Sequence, residues 1–449
     1  FNSGTNDYFE RAYTAALSPA NFTIFSASNV TTSGSYKALL SNRDDFGGGS
    51  TAGYILYAGP TTDDWSFWTG SIGNSWDQIF SGIGTSGNWA SQMMDFDNVS
   101  ATKNLSINQG TVFTNSGIPY TSNNAQPMRI GAGNNESIPD FYFDGSIGEI
   151  IMYNIVLNTT QQIIVQNYLS AKYDYALTNN DLYVQDDAAN GNYDYDVAGI
   201  GRVDPGNQHT DAKGNGIVRI LNATNLDDNE FFIWGHDNGQ QAAINNTDVP
   251  AGIAARFDRV WRVSEVNNAG SGVNVGSIDM QWDLNNLGPV TASDLRLLVD
   301  TDNDGSFADE TPIAGATSIG GGIYAFTGVS AIGNNMRFTI ATTNLIQTPL
   351  PITISSFNAV PVNKKQVLVS WQTTTEINNK SFTVERSING SYWEEVKTIA
   401  GAGNSNTVVN YSITDEFPYN GISFYRLKQT DFNNVNTYST IKSVNLKRL

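Results

Sequence analysis

Apolar and polar residues alternate through Gln366-Val-Leu-Val-Ser-Trp371, Ser381-Phe-Thr-Val-Glu-Arg386, Tyr392-Trp-Glu-Glu-Val-Lys-Thr398 and Ser423-Phe-Tyr-Arg-Leu-Lys-Gln429. That period puts successive side chains on opposite faces of a half-buried strand, and Asn389-Gly390 supplies a turn between two of the runs. Shorter strand runs recur upstream, at Asn21–Phe25, Tyr54–Tyr57, Ser66–Trp68, Met128–Gly133 and Phe141–Tyr153. They continue at Tyr195–Arg202, Phe231–His236, Arg259–Val263, Leu295–Val299, Ile323–Phe326 and Met336–Ile340. One stretch breaks the rule. Leu157–Tyr173 has helical spacing, and Asn158 or Thr159 is its N-cap. Short strands separated by turns, with one helix, predict an all-β chain of tandem β-sandwiches. The expected division is 1–173, 174–348 and 349–449, with the Pro-bearing segment Asn344–Pro351 as the last linker. No short exact repeat points to a solenoid or propeller.

Composition narrows the class. The chain has 449 residues, no cysteine, 42 glycines and a formal charge of -19. Hydrophobic residues at 40% are enough to build cores, so the chain is not read as disordered. The acidic balance disfavours nucleic acid and anionic membranes as partners, since both need basic patches. No apolar run is long enough to span a bilayer as a helix, so no membrane insertion is expected. Without cysteine, rigidity must come from packing or from a hard cation such as calcium. The opening Phe1-Asn-Ser-Gly, with neither methionine nor signal peptide, reads as a processed or excised start.

The wording of the last region is specific. Pro349-Leu-Pro-Ile-Thr353, Trp371-Gln-Thr-Thr-Thr-Glu-Ile-Asn-Asn379, Phe382-Thr-Val-Glu-Arg-Ser387 and Gly421-Ile-Ser-Phe-Tyr-Arg-Leu-Lys-Gln-Thr-Asp431 resemble the fibronectin-III-like module of Bacteroidetes surface proteins. In that group the module precedes a type IX sorting domain. The resemblance implies export through the type IX translocon with an outer-membrane shuttle, and a place on the cell surface or outside it. The first region, with Asp7-Tyr8, Gly148-Glu-Ile150 and the helix ending Tyr168-Leu-Ser-Ala-Lys-Tyr173, resembles a laminin-G/concanavalin-A-like jelly roll. The middle region, with Tyr195–Arg202, Phe231–Gly239 and Arg259–Val263, resembles an uncharacterised β-rich domain that follows such modules.

Candidate chemistry is sparse. In Asp300-Thr-Asp302-Asn-Asp304-Gly305-Ser306-Phe-Ala-Asp309-Glu310, carboxylates at alternate positions converge on one cation while the glycine allows the sharp turn. The expected calcium ligands are Asp300, Asp302, Asp304, Ser306, Asp309 and Glu310, in a structural role. Position twelve is Thr311 and the flanks read as strands, so this is not an EF-hand, and the same residues suit a solvated turn. In the first region Trp65, Trp68, Asp95 and Asp97 are the expected ligand-binding residues, with Asp63, Asp64, Asn98, Trp76 and Trp89 as further rim candidates. Indoles stack on sugar rings, although jelly-roll cores also bury them. Enzyme signatures fail. Glu149 is followed by Ile-Ile-Met-Tyr153 rather than a second acid, and neither His-Glu-x-x-His nor Gly-x-Ser-x-Gly occurs. His236 beside Asp237 reads as a turn histidine, while Asp186, Asp187, Asp194 and Asp196 suit either a cation or exposed acidic turns equally well.

The reading is a non-catalytic adhesin or module binding an extracellular glycan or protein ligand. The alternatives are a structural surface protein (a filament or sheath subunit, or secretion cargo without a ligand) and, behind it, a fragment of a polysaccharide-degrading enzyme.

Overall fold

The computed structural model describes residues 1–31, 36–47, 50–59, 64–85, 87–135, 138–239, 244–285, 290–345, 354–363, 365–373, 376–405, 408–432 and 436–446. Asp63, residues 346–351 of the expected linker, and residues 352, 353, 374 and 375 of the quoted wording lie outside them. Strands dominate, and Thr159–Tyr173 is the one α-helix among the described residues. Two compact units result. One is Phe1–Gly216 with Ile220–Gly235 and Val263–Gly276, and the other is Ile217–Arg219 with His236–Arg262 and Ser277–Leu449.

The first unit contains a two-sheet sandwich. Its six-stranded sheet runs Phe9–Arg11, Met128–Ile130, Lys37–Ser41, Tyr54–Ala58, Asp64–Ser71, Asn74–Gly84. Its five-stranded sheet runs Val112–Ser116, Thr102–Ile107, Trp89–Asp97, Phe22–Val30, Gly145–Tyr153. Alternation decides what each strand buries. Tyr54, Leu56, Trp65, Phe67 and Ile79 point between the sheets and meet Phe22, Ile24, Met94, Phe96 and Leu105. Each such large side chain taken out of water stabilises the sandwich by about 1.5–3 kcal/mol.

The helix closes the outer side of the five-stranded sheet. Asn158 caps it by accepting from the Gln161 backbone N–H at 3.0 Å, while Gln161 Oε1 accepts from the Asn158 N–H at 3.1 Å. Leu157 and Leu169 pack on Phe25, Ala27 and Met93. Two pieces of the quoted wording meet here. A Cβ on Gly148 would stand 2.3 Å from the Tyr173 ring, and Glu149 accepts from Tyr168 Oη at 3.0 Å and Lys172 Nζ at 2.8 Å. The register shifts between Ile147 and Glu149, so the glycine sits at a bulge that admits the ring. Beyond the helix, Tyr195–Asp204 pairs with Asn207–His209, and Thr160 Oγ1 ties both to the helix, donating to Asn207 O at 2.6 Å and accepting from Val203 N at 3.0 Å.

In the second unit Arg337–Thr342 pairs with Leu295–Asp300, with Ala255–Phe257 and with Trp261 and Arg262. Ile278–Asp283, Ile323–Val329 and Thr317–Gly320 form an antiparallel set. Trp261, Trp282 and Phe338 join the two sets, with the Trp261 and Trp282 ring centroids 5.1 Å apart and edge-on. The same unit ends in a sandwich of three strands, Ile354–Val362, Gln366–Thr373 and Val409–Asp415, against a five-stranded sheet led by Glu394–Ser405, Glu376–Ser387 and Gly421–Asp431. Trp371, Phe382, Val384, Tyr425 and Leu427 fill its core. The Glu376 carboxylate, fully buried, accepts from Thr373 Oγ1, Asn379 Nδ2, Tyr411 Oη and the Ala402 N–H. The Trp371–Asn379 wording is thus a buried, saturated acceptor and its donors.

Candidate functional site

The six-stranded sheet has a second face, turned away from the inter-sheet core. Cross-strand pairing writes it in two rows. One is Glu10, Arg129, Ser41, Ile55, Trp68, Gln78, and the other is Ala38, Tyr57, Ser66, Phe80. Trp76, two residues before Gln78, shares their side of the strand. Ala38, Ile55, Tyr57 and Trp68 form an aromatic-rich cluster of their own here, flanked by Tyr36, Trp76 and Phe141. The Arg43 guanidinium lies 5.0 Å from the Trp76 ring centroid.

Polar atoms on this face are left over. Ser66 Oγ, Trp68 Nε1, Trp76 Nε1 and Arg129 Nη1 are shut off from solvent without a hydrogen-bond partner. Arg129 spends its Nε on Glu10 at 2.7 Å, which leaves that Nη1 unused. A buried, unpaired donor costs about 1–3 kcal/mol, and one face here carries four such atoms, three of them obligate donors. They are spread over the face, with Ser41 and Ile55 standing between Arg129 and Trp68. Phe80, 42% exposed, and the half-buried Trp76 provide the apolar surface beside them.

The individual residues expected to bind ligand are placed differently. Trp65 is 1% exposed and lies in the inter-sheet core, because it follows Asp64 by one position and alternation turns it inward. It cannot stack on a sugar. Trp68 is on the outer face but 8% exposed, its ring packed by Tyr36, Tyr57 and Phe80 and its indole N–H closed to solvent. Asp95 is buried on the far side of the other sheet, where it accepts from Asn104 Nδ2 at 2.8 Å, and burial pushes its carboxyl up to about 6. It is not a rim ligand. Asp97 is spent on a turn, accepting from Ser100 Oγ and the Val99 N–H, which hold its carboxyl below the usual range. Asp64 accepts from the Gly82 N–H at 2.8 Å. Alternation along Asp64–Ser71 already separates Trp65 from Trp68 in the sequence. Arg129 carries no such signal, because only strand pairing puts it in the same cross-strand row as Trp68.

The acidic loop of the second unit gathers part of its expected set. Asp300, Asp302 and Asp304 bring one carboxylate oxygen each within 4.8 Å of one another, a spacing that fits hard oxygen donors around one calcium ion. Asp300, fully buried, also faces Arg337 Nε at 2.9 Å and accepts from the Gly305 N–H at 3.1 Å. The other three residues do not join them. Ser306 Oγ donates to Asp248 at 2.9 Å, and Glu310 accepts from the Thr301 N–H and hydroxyl. Asp309 is exposed and outside the cluster. The carboxylate cluster thus takes in three of the six expected residues, while Ser306 and Glu310 are engaged with Asp248 and Thr301.

His236 is buried, with Nδ1 accepting from the Asn238 N–H at 3.0 Å and its ring against Trp261. Asp237 accepts from the Gly239 and Val260 N–H groups, so this pair closes a turn. Burial pushes Asp186 up to about 7.

A family model described as a domain of unknown function, DUF8202, matches residues 161–331, starting inside the helix. No curated protein sequence matches the chain. Among solved structures, the chain is similar to the CBM40 of a Ruminococcus gnavus IT-sialidase bound to α2,6-sialyllactose, at 12% identity and TM-score 0.29, covering 35% of this chain and 96% of that one. It is similar to a heptameric SAP-like pentraxin of Limulus polyphemus at 11% identity and TM-score 0.29, covering 36% of this chain and 75% of that one. A NanB sialidase of Streptococcus pneumoniae aligns over 98% of this chain and 65% of its own length, at 9% identity and TM-score 0.31.

Proposed function

We propose that the first unit binds a glycan on the outer face of its six-stranded sheet, and that the chain is a non-catalytic, exported surface protein. One observation carries the reading: Ser66, Trp68, Trp76 and Arg129 leave buried hydrogen-bonding atoms unpartnered on a single face. Sugar hydroxyl and ring oxygens are acceptors that would meet such donors once the side chains closing them off rotate aside, and Trp76 and Phe80 would pack against the ring's apolar side. Export by a type IX route and display at the cell surface rest on the quoted wording of the last region. Calcium, held by Asp300, Asp302 and Asp304, would supply charge and rigidity to a strand-joining loop, with no part in recognition.

A glycan array probed with the intact chain tests this. Retention on at least one glycan is expected, with loss in Arg129→Ala and Trp76→Ala and no loss on adding chelator. Retention unchanged in both variants, or no retention at all, refutes the assignment of this face.

A further inference from the structure

The same unit holds a second cleft, on the helix-bearing side of the sandwich, of about 410 Å³. Its floor is a cross-strand row, Met93, Ser106 and Val112, of the five-stranded sheet. Around that floor stand six carboxamides: Gln109, Gln162, Gln166, Asn179, Asn180 and Asn268. Among the described residues, no charged side chain lines it.

Several of these amides are held from behind. Gln162 donates to Leu157 O at 2.9 Å, Gln166 accepts from Ser91 Oγ at 2.5 Å, and Asn179 donates to Gln109 O at 3.1 Å. Gln109 differs. Its Oε1 and Nε2 are both closed to solvent and both without a partner. It also sits in the tight turn Ile107–Gly110 at φ +52°, beside Asn108 at +47°. Glycine or asparagine adopts that geometry at less cost, so glutamine is disfavoured here twice, by backbone and by side chain.

We infer that this cleft is a second binding site, taking an uncharged saccharide unit. Carboxamides donate and accept at once, which matches the paired donor and acceptor character of sugar hydroxyls, and the Met93–Val112 floor takes a ring's apolar face. A carboxylate- or phosphate-bearing ligand finds no cation in the lining, in a chain of net charge -19. The cleft is also of a size to enclose a small ligand, since such sites run to about 300–1,000 Å³.

Saturation-transfer NMR on the intact chain with glucose, galactose, N-acetylglucosamine and lactose, and galacturonate as the charged control, tests the inference. Transfer to at least one neutral sugar and none to galacturonate is expected. That transfer should survive Arg129→Ala, which disables the other face, and in that background weaken at least tenfold on adding Gln109→Gly or Gln166→Leu. Because glycine suits the turn, Gln109→Gly should melt at or above the parent, so its loss of binding is not loss of fold. Absence of transfer from all four neutral sugars, or transfer that persists undiminished in the Arg129→Ala, Gln109→Gly double variant, overturns the inference. So does transfer that vanishes in Arg129→Ala, which would place the sugar on the other face.

Discussion

Replacing Asp95 with asparagine should stabilise the first unit at neutral pH and leave it unchanged near pH 4. Asp95 lies in the row Tyr153, Thr23, Asp95, Asn104, Thr114, buried where helix and sheet meet. Its partners are amides, with Asn104 Nδ2 at 2.8 Å and Gln162 Nε2 at 3.5 Å. Burial raises its carboxyl to about 6, from 3.8 in the unfolded chain. The folded state therefore holds a proton that the unfolded state has released between about pH 4 and 6. Stability is lost as pH rises through that window, and above it the full penalty stands. A shift of about two units sets a ceiling of roughly 3 kcal/mol. In a unit of this size the ceiling corresponds to roughly 6–12 °C in melting temperature. Asparagine keeps the acceptor facing Asn104 and removes the charge. Thermal unfolding followed by tryptophan fluorescence at pH 4 and pH 7.5 is the assay, since Trp65, Trp68, Trp76 and Trp89 all report on this sandwich. Asp95→Asn that destabilises equally at both pH values would refute the reasoning, because it would show the carboxylate to be needed as such.

Further expectations concern other parts of the chain. Lys103, buried, has its ammonium pushed down to about 8 by burial, against Asp77 Oδ2 at 3.0 Å. Asp77→Ala strands that charge and should cost about 3–5 kcal/mol in urea unfolding, and because Asp77 is what holds the folded ammonium's proton, the variant releases it at lower pH than the parent and the deficit should shrink as pH rises towards about 8. Gly148→Ala forces a methyl group into the Tyr173 ring and should cost about 1–3 kcal/mol, seen as faster hydrogen exchange in the helix. Millimolar calcium should raise the melting temperature of the parent, and Asp302→Asn with Asp304→Asn should abolish that rise while leaving the calcium-free stability within about 0.5 kcal/mol of the parent, as those two side chains are exposed.

Much of the fold was legible in advance because strand alternation is a local property. Gln366–Trp371 and Ser423–Gln429 are strands where the period placed them, and Asn158 caps the helix because a short polar side chain can reach its own N3 amide. The acidic loop was legible as a turn and in part as a cluster. Its ligand list was too long because Ser306 and Glu310 are claimed by Asp248 and Thr301, and the first of those lies far away in sequence.

What the chain decided by itself was the alternation of faces, hence an all-β architecture with one helix, and an acidic, cysteine-free composition. What only tertiary structure decided was which face each aromatic occupies and which polar groups stay unmatched. Trp65 and Trp68 are three residues apart and equal in hydropathy, yet one fills the core and the other joins Arg129 across two intervening strands. Hydrogen-bond satisfaction depends on neighbours brought together by strand register, and register couples residues separated by tens of positions. A sequence fixes its own periodicities, but the leftover donors of a sheet face exist only once the strands have paired.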